Sequence, residues 1–234
     1  MRLFNPAERA KEIEKIVMKG ESRKYYRFRY FRYYGGIVTA DTVGCNLLCA
    51  YCWNYFKNLR PEKYGKFYTP EEVAEKLVRI SRKKNVNLFR ISGAESVLGK
   101  KSMEHLVRVI ELVGSEFILE TNGVILGYVP ELADLLKDLD VAVRITIKGW
   151  DERSYEMITG AEGKYFRYQI AALGGLIKRK IVAWPAVMSD VFGEEGVREL
   201  REKLKGIEVE RIEFEYLERY PFVMQNLRKR GIKA

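Results

Sequence analysis

Histidine and cysteine are scarce in this chain: its 234 residues include one His and three Cys. An odd cysteine count argues against a closed disulfide framework, and three cysteines within eight residues lie too close together to staple a domain. There is no run of 18 or more apolar residues, so nothing reads as a membrane-spanning helix. The opening stretch, MRLFNPAERAKEIEK, holds no apolar segment of the secretory type. The expectation is a soluble, cytoplasmic protein with no membrane partner. Internal repeats and low-complexity tracts are absent as well.

The remaining composition is that of a globular protein. Hydrophobic residues make up 47% of the chain, enough for a sizeable core, and the length suits one domain or two small ones. Lys and Arg number 42 against 32 Asp and Glu, a net charge of +10. A field of that sign favours polyanionic partners such as nucleic acid or an acidic protein surface. Charged residues of both signs are also spread over the whole chain, and that pattern reads equally as solubility.

Residues 1–34 read as an N-terminal segment: a helix over 7–19, then the tract Lys24-Tyr-Tyr-Arg-Phe-Arg-Tyr-Phe-Arg-Tyr-Tyr34. Bases and aromatics alternate there with a period near two, which predicts an amphipathic strand or hairpin. From residue 35 the pattern changes to alternating strand and helix. Strands are predicted over 36–41, 87–92, 116–121, 141–148, 181–188 and 208–216. Helices are predicted over 70–84, 103–113, 130–136, 162–178 and 194–204. Thr69-Pro70-Glu71-Glu72 is a strong helix start, with a capping residue, a proline and acids in the first turn. Such alternation implies an α/β fold: a six-stranded parallel sheet with right-handed crossovers, either open or curled into a partial barrel. The core spans 35–222, and 223–234 form a basic C-terminal tail with no appended substrate domain expected. His105, between Glu104 and Leu106 in a predicted helix, reads as a surface residue.

The cysteines lie in the longest stretch without periodicity, just after the first core strand: Cys45-Asn-Leu-Leu-Cys49-Ala-Tyr-Cys52, a C-x3-C-x2-C spacing. Thiolates this close can converge on one metal centre, and soft sulfur suits zinc or an iron–sulfur cluster. Structural zinc takes four protein ligands, often in paired C-x2-C units or with histidine, and the lone His105 is about fifty residues away. Three cysteines suit a four-iron cluster better, with one iron left open to a small molecule.

The loop resembles the C-x3-C-x-aromatic-C signature of the radical S-adenosylmethionine (radical SAM) superfamily, with Tyr51 at the aromatic position. The resemblance implies a partial (β/α)6 TIM-type barrel. It also implies a [4Fe–4S] cluster on Cys45, Cys49 and Cys52, whose open iron chelates the amino and carboxylate groups of S-adenosylmethionine. Reductive cleavage of the sulfonium then yields a 5′-deoxyadenosyl radical that abstracts hydrogen, with an external one-electron donor of the ferredoxin or flavodoxin type.

Further matches follow in register. Arg90-Ile-Ser-Gly93-Ala94-Glu95-Ser96 resembles the family's Gly-Gly-Glu-Pro motif, with Ala94 and Ser96 replacing the second Gly and the Pro. Gly93, Ala94 and Glu95 are thereby expected to receive the cofactor's ammonium. Glu120-Thr-Asn-Gly123 resembles a segment of the activases of glycyl-radical enzymes, which assigns Glu120, Thr121 and Asn122 to the cofactor pocket. Ile145-Thr-Ile-Lys148, with Tyr155 and Gly160 beyond, resembles the Asp-x-Lys, His, Gly pattern of that subgroup, but Thr146 and Tyr155 replace its acid and its histidine. Arg144, on the face of Thr146, is expected to neutralise the cofactor carboxylate with Glu120 as its partner. Met188 closes the strand that backs the adenine, and Lys148 is the candidate catalytic residue. The substrate expected is a protein or peptide, with RNA as the alternative. A competing class is a nucleic-acid-binding protein that grips its ligand through the 24–34 tract and keeps a structural cluster.

Overall fold

A computed structural model describes residues 2–233 of the chain. Asn5 caps the first helix, α1 (Pro6–Val17), by accepting the N–H groups of Ala7 and Glu8, and Pro6 takes the first helical position. The chain then turns extended into β1 (Met18–Lys19) and β2 (Ser22–Phe31). The parallel strands are β3 (Ile37–Thr42), β5 (Phe89–Ser92), β6 (Phe117–Thr121), β7 (Val141–Thr146), β8 (Ala183–Met188) and β9 (Glu213–Glu215). Between β3 and β5 come a short helix, α2 (Tyr55–Leu59), the strand β4 (Lys66–Tyr68) and α3 (Pro70–Lys84). The later helices are α4 (Lys100–Val113), α5 (Val124–Tyr128), α6 (Glu152–Thr159), α7 (Phe166–Lys178), α8 (Ser189–Lys203) and α9 (Pro221–Lys229).

One sheet runs β1-β2-β3-β5-β6-β7-β8-β9, with β4 paired to β2. Its six-strand core is parallel from β3 to β9, and the sheet is open: an α/β partial TIM-type barrel. The other three strands are antiparallel, so the sheet is wider than the six strands expected. Residues 1–34 are not set apart from it, since β2 pairs with β3 from Tyr25–Thr42 to Phe31–Ile37. The basic tail is ordered too. Val223 and Leu227 of α9 are buried, and Arg230 donates to the carbonyls of Leu48 and Ile158.

Strands buried on both faces read as continuous apolar runs, and here the two faces differ. The outer face, with Val38, Ala40, Phe89, Ile91, Phe117, Leu119, Val143 and Ile145, packs under the helices in the main core. The inner face is apolar only at its floor, where Ile37, Ile118 and Trp184 meet Phe31, Leu88 and Ala142. Above that floor it is ionic.

Four local expectations change. The segment 130–136 is a 3-10 helix, and the helix expected over 162–178 opens with a 3-10 turn at Gly163–Tyr165. The last strand shrinks to Glu213–Glu215, as suits a sheet edge with a partner on one side only. His105 is no surface residue: it is 3% exposed, its Nδ1–H donates to the Glu21 carbonyl (2.7 Å), and its Nε2 accepts from the Tyr25 hydroxyl (2.9 Å).

Candidate active site

The cysteine loop leaves the C-terminal end of β3 and lies on the end of α6. The N–H groups of Leu48 and Ala50 donate to the carbonyls of Thr159 and Ile158. Arg9 of α1 donates to the Cys45 carbonyl (3.3 Å) and the Asn58 carbonyl (3.0 Å), and Arg230 grips the loop from the other end of the chain. Cys49 is buried while Cys45 and Cys52 are half-buried. The Cys45 sulfur accepts the Leu47 N–H at 3.4 Å, and the Cys52 sulfur accepts the Asn58 side-chain amide at 3.5 Å. Burial raises all three thiol pKa values. That of Cys52 reaches about 11, with the neighbouring Cys49 adding to the rise. Lys148 and Arg230 oppose the rise at Cys49.

Two clasps join this loop to the ends of β5 and β6. Asn54 donates to the Gly93 carbonyl at 2.6 Å, and Asn122 donates to the Asn46 side-chain oxygen at 2.7 Å. Gly93 adopts φ +87°, and a Cβ there would stand 3.0 Å from the Cβ of Asp41, so only glycine fits. Ala94 is half-buried beside it. The Glu95 carboxylate is buried and accepts from the Val97 N–H (2.9 Å), the Thr121 hydroxyl (2.5 Å) and the Asn122 N–H (2.8 Å). Burial still raises its pKa against those donors. The side chains of Thr121 and Asn122 are engaged within the protein: Thr121 also accepts from Gly123 N–H, and Asn122 from Val124 N–H.

The ionic part of the inner face gives Arg144 two further carboxylate partners beside the expected Glu120. Its guanidinium donates to Glu213 (3.1 Å) and Glu215 (2.9 Å) on β9, with Glu120 at 3.8 Å. Glu120 takes its shorter hydrogen bond from Arg90, at 2.7 Å. Burial would lower the Arg144 pKa, but Glu215, Glu120 and Glu213 raise it. Glu120 runs the other way: burial would raise it, and Arg90 and Arg144 hold it below the usual carboxylate value. Arg144 is thus already surrounded by carboxylates from two other strands. The register of a parallel sheet brought them there, and a strand pattern read alone does not reveal it.

Lys148 stands apart from that network. Gln169, wholly buried, pins its backbone by accepting the Lys148 N–H (2.8 Å) and donating to the Lys148 carbonyl (3.3 Å). The ammonium lies 5.1 Å from the Tyr51 ring centroid. Burial would lower its pKa, while Tyr51, Cys49 and Glu215 raise it. Met188 is half-buried on the inner face, opposite Glu215. Tyr155, in place of the subgroup's histidine, is fully buried, and Thr146 hydrogen-bonds to the Thr121 carbonyl (3.3 Å).

The residues fit an iron–sulfur cluster with a small-molecule ligand. Among the described residues, no group of three or more His, Cys, Asp or Glu is arranged around a single metal ion. The fit is carried by the sulfur environment, because N–H donors aimed at thiolate sulfur stabilise cluster-bound sulfur. It is carried also by buried polar atoms without partners. Asn46 Nδ2, Tyr51 Oη and Asn54 Oδ1 on the cysteine loop, Asn58 Oδ1 in α2 just after it, Ser96 Oγ after β5 and Tyr155 Oη in α6 are such atoms. Native proteins leave few such groups unsatisfied, and their gathering marks where a ligand belongs. Asn46, Asn58, Gln169 and Arg230 escaped the sequence reading, and only proximity to the cysteines could have flagged the first two; Asn54 stands out there only as part of the Cys52-Trp53-Asn54 resemblance to the activases.

A parallel half-barrel with three thiols at the C-terminal ends of its strands defines the class of an iron–sulfur enzyme fold. The family profile described as the Radical SAM superfamily matches residues 39–205, and the chain belongs to that superfamily. Its cofactors are a [4Fe–4S] cluster and S-adenosylmethionine. Among curated relatives, the FeMo cofactor biosynthesis protein NifB of Frankia alni is 30% identical over 216 residues, covering 82% of this chain and 41% of NifB. A probable GTP 3′,8-cyclase of Pyrococcus horikoshii is 33% identical over 120 residues, covering 51% of this chain and 36% of the cyclase. The chain thus spans less than half the length of these relatives. Among solved structures, SuiB of Streptococcus suis bound to S-adenosylmethionine aligns with a TM-score of 0.58 at 13% identity, over 84% of this chain and 45% of SuiB. SuiB bound to its precursor peptide SuiA gives 0.60 at 13%, over 85% of this chain and 47% of SuiB. At that identity the likeness speaks for the fold. No helix among the described residues is long and apolar enough to cross a membrane.

Proposed function

We propose that Cys45, Cys49 and Cys52 hold the cluster, and that S-adenosylmethionine lies across the adjoining ends of β5 to β8. When bound, the pair supplies one-electron cleavage of a sulfonium C–S bond, and hence a radical that abstracts hydrogen from substrate. The observation that carries the reading is the gathering of partnerless buried polar atoms on and beside the cysteine loop, which the Asn46–Asn122 and Asn54–Gly93 contacts clasp to the ends of β6 and β5. The Gly93–Ala94 backbone and the less engaged oxygen of Glu95 receive the cofactor's ammonium. Lys148, rather than Arg144, faces its carboxylate, since Lys148 has no ion pair among the described residues and Arg144 has three. Tyr51 and Met188 border the same space. Glu120, Thr121 and Asn122 act as supports, holding Arg90, Glu95 and Asn46 in place.

The substrate of this reading is a peptide or protein, admitted through the open side. Trp53, Phe56, Tyr216 and Tyr220 are exposed after the cysteine loop and after β9, and such aromatics suit a polypeptide groove. The peptide-bound SuiB structure supports the same direction. An RNA substrate gripped by the 24–34 tract finds less support, because Phe28 packs on Tyr25 and Tyr68 while Arg27 and Arg29 turn to Asp41. Membership among glycyl-radical activases has no support beyond the motifs, given Thr146 and Tyr155.

The test is anaerobic reconstitution with S-adenosylmethionine and a one-electron reductant, dithionite or a flavodoxin, and assay of 5′-deoxyadenosine. Fractions from deuterium-grown cells then report the substrate class. Label entering 5′-deoxyadenosine from the peptide fraction supports the reading, and label from the RNA or nucleotide fraction alone sinks it.

A further inference from the structure

Arg23 is the most costly residue in the molecule to explain by packing. Its side chain is buried, 1% exposed, near the start of β2, and it forms no ion pair among the described residues. The carboxylates whose fields reach it are Glu95 and Glu14, without a hydrogen bond to either. A guanidinium in that setting is strongly destabilising unless its donors are engaged. Two of them are, and both go to one loop: Nη2 donates to the Glu95 carbonyl at 2.6 Å, and Nη1 to the Ser96 carbonyl.

The peptide unit between Ser96 and Val97 is therefore held at both ends. Its carbonyl accepts from Arg23, and its N–H donates to the Glu95 carboxylate (2.9 Å). Rotation of that plane would break both contacts at once, and Ser96 has no ring to restrict its own φ. The Glu95 carboxylate is in turn oriented toward Thr121 and Asn122, and Asn122 toward Asn46 beside Cys45. A chain of hydrogen bonds thus runs from β2 through the Gly93–Ser96 loop to the cysteine loop. Its origin lies outside the family-matched stretch, which begins at residue 39. The planar fork reaches the two successive carbonyls with two separate nitrogens in one fixed geometry, whereas an ammonium presents its donors from a single point.

We propose that Arg23 is a positioning residue for cofactor binding, clamping the Ser96–Val97 peptide so that Glu95 and the Gly93 backbone keep their aim. This rests on the reading that the Gly93–Ser96 loop receives S-adenosylmethionine.

The test uses the reconstituted full chain as wild type, Arg23→Met, Arg23→Lys and Glu95→Gln. Affinity is read by equilibrium dialysis of labelled S-adenosylmethionine, iron is counted, and amide hydrogen exchange is followed at Val97 and Asn122. Arg23→Met is expected to weaken binding about tenfold or more, the scale of losing a charged hydrogen bond, at unchanged iron content. Exchange at Val97 and Asn122 should quicken while the amides of β6 and β7 stay protected. Arg23→Lys should recover part of both. Should Arg23→Met fail to fold, Arg23→Lys decides by the same two measurements. Wild-type affinity and wild-type exchange at Val97 in the folded variants would overturn the clamp. If the wild type binds no S-adenosylmethionine, the functional reading fails and the clamp for it fails too. If the wild type binds, Glu95→Gln is impaired and the Arg23 variants are not, the clamp alone fails.

Discussion

Lys148 holds its ammonium 5.1 Å from the centre of the Tyr51 ring, and both Tyr51 and Cys49 favour its charged form. A buried cation without a carboxylate partner is unfavourable unless an anion arrives. Lys148→Met is therefore expected to weaken S-adenosylmethionine binding about tenfold or more while leaving the melting temperature of the cofactor-free protein unchanged or higher. Calorimetric titration and a thermal melt check the two halves. Full affinity in the variant would remove Lys148 from the site.

Arg144 is expected to behave in the opposite way. Its removal leaves Glu120, Glu213 and Glu215 without their shared cation, and Glu213 and Glu215 are only partly exposed, at 25% and 31%. Breaking a fully buried pair costs about 3–5 kcal/mol, and discounting for that exposure gives about 2–3 kcal/mol for Arg144→Met. Urea unfolding should show the loss, and cofactor affinity per folded molecule should hold. A variant as stable as the wild type but unable to bind cofactor would restore the carboxylate-binding role.

Asn58 reaches the Cys52 sulfur at 3.5 Å. Hydrogen bonds to cluster thiolates draw charge from the sulfur and favour the reduced state. Asn58→Ala should therefore keep its iron yet shift the cluster's reduction potential to a more negative value in anaerobic voltammetry. An unchanged potential would mean the amide does not act on the sulfur.

His105 carries a pH prediction. Burial lowers its pKa from 6.5 to about 4, with Arg23 adding to the shift and the Glu21 carbonyl opposing it. The unfolded chain takes up the proton near pH 6.5 while the folded chain resists until about 4. Its contribution to stability is thus full above pH 6.5 and is lost as pH falls from there toward 4. The greatest loss is on the order of 3–4 kcal/mol, at about 1.4 kcal/mol for each pH unit between those two values. Melts of wild type and His105→Gln across that range should converge at low pH. Parallel curves would deny the histidine its part in acid sensitivity.

The aromatic and basic tract shows how far a strand pattern can be read. Its period near two predicted β2 correctly, but the pattern does not say which face meets solvent. In the sheet Phe28 turns to the helices and Arg29 inward, where Asp41 accepts two hydrogen bonds from it. Of the tract's three arginines only Arg29 is drawn inward, while Arg27 reaches Asp41 from an exposed position and Arg32 is exposed.

What the sequence determined by itself was whatever depends on neighbours along the chain. The C-x3-C-x2-C spacing confines three thiols to one loop, and Thr69 with Glu72 closes a capping box at the head of α3. The alternation of strand and helix patterns along the chain implied the six parallel strands, because each crossover between parallel neighbours needs a covering segment such as a helix. The tertiary structure alone decided which charges meet. Arg144 pairs with Glu213 and Glu215, 69 and 71 residues on, and Arg230 reaches Leu48 across 182. Arg23 finds the Ser96 carbonyl 73 residues away. Such contacts follow from strand register and crossover handedness, and a charge in a sequence carries no mark of either. Burial then makes them matter, since a charge removed from water must find its partner inside the fold.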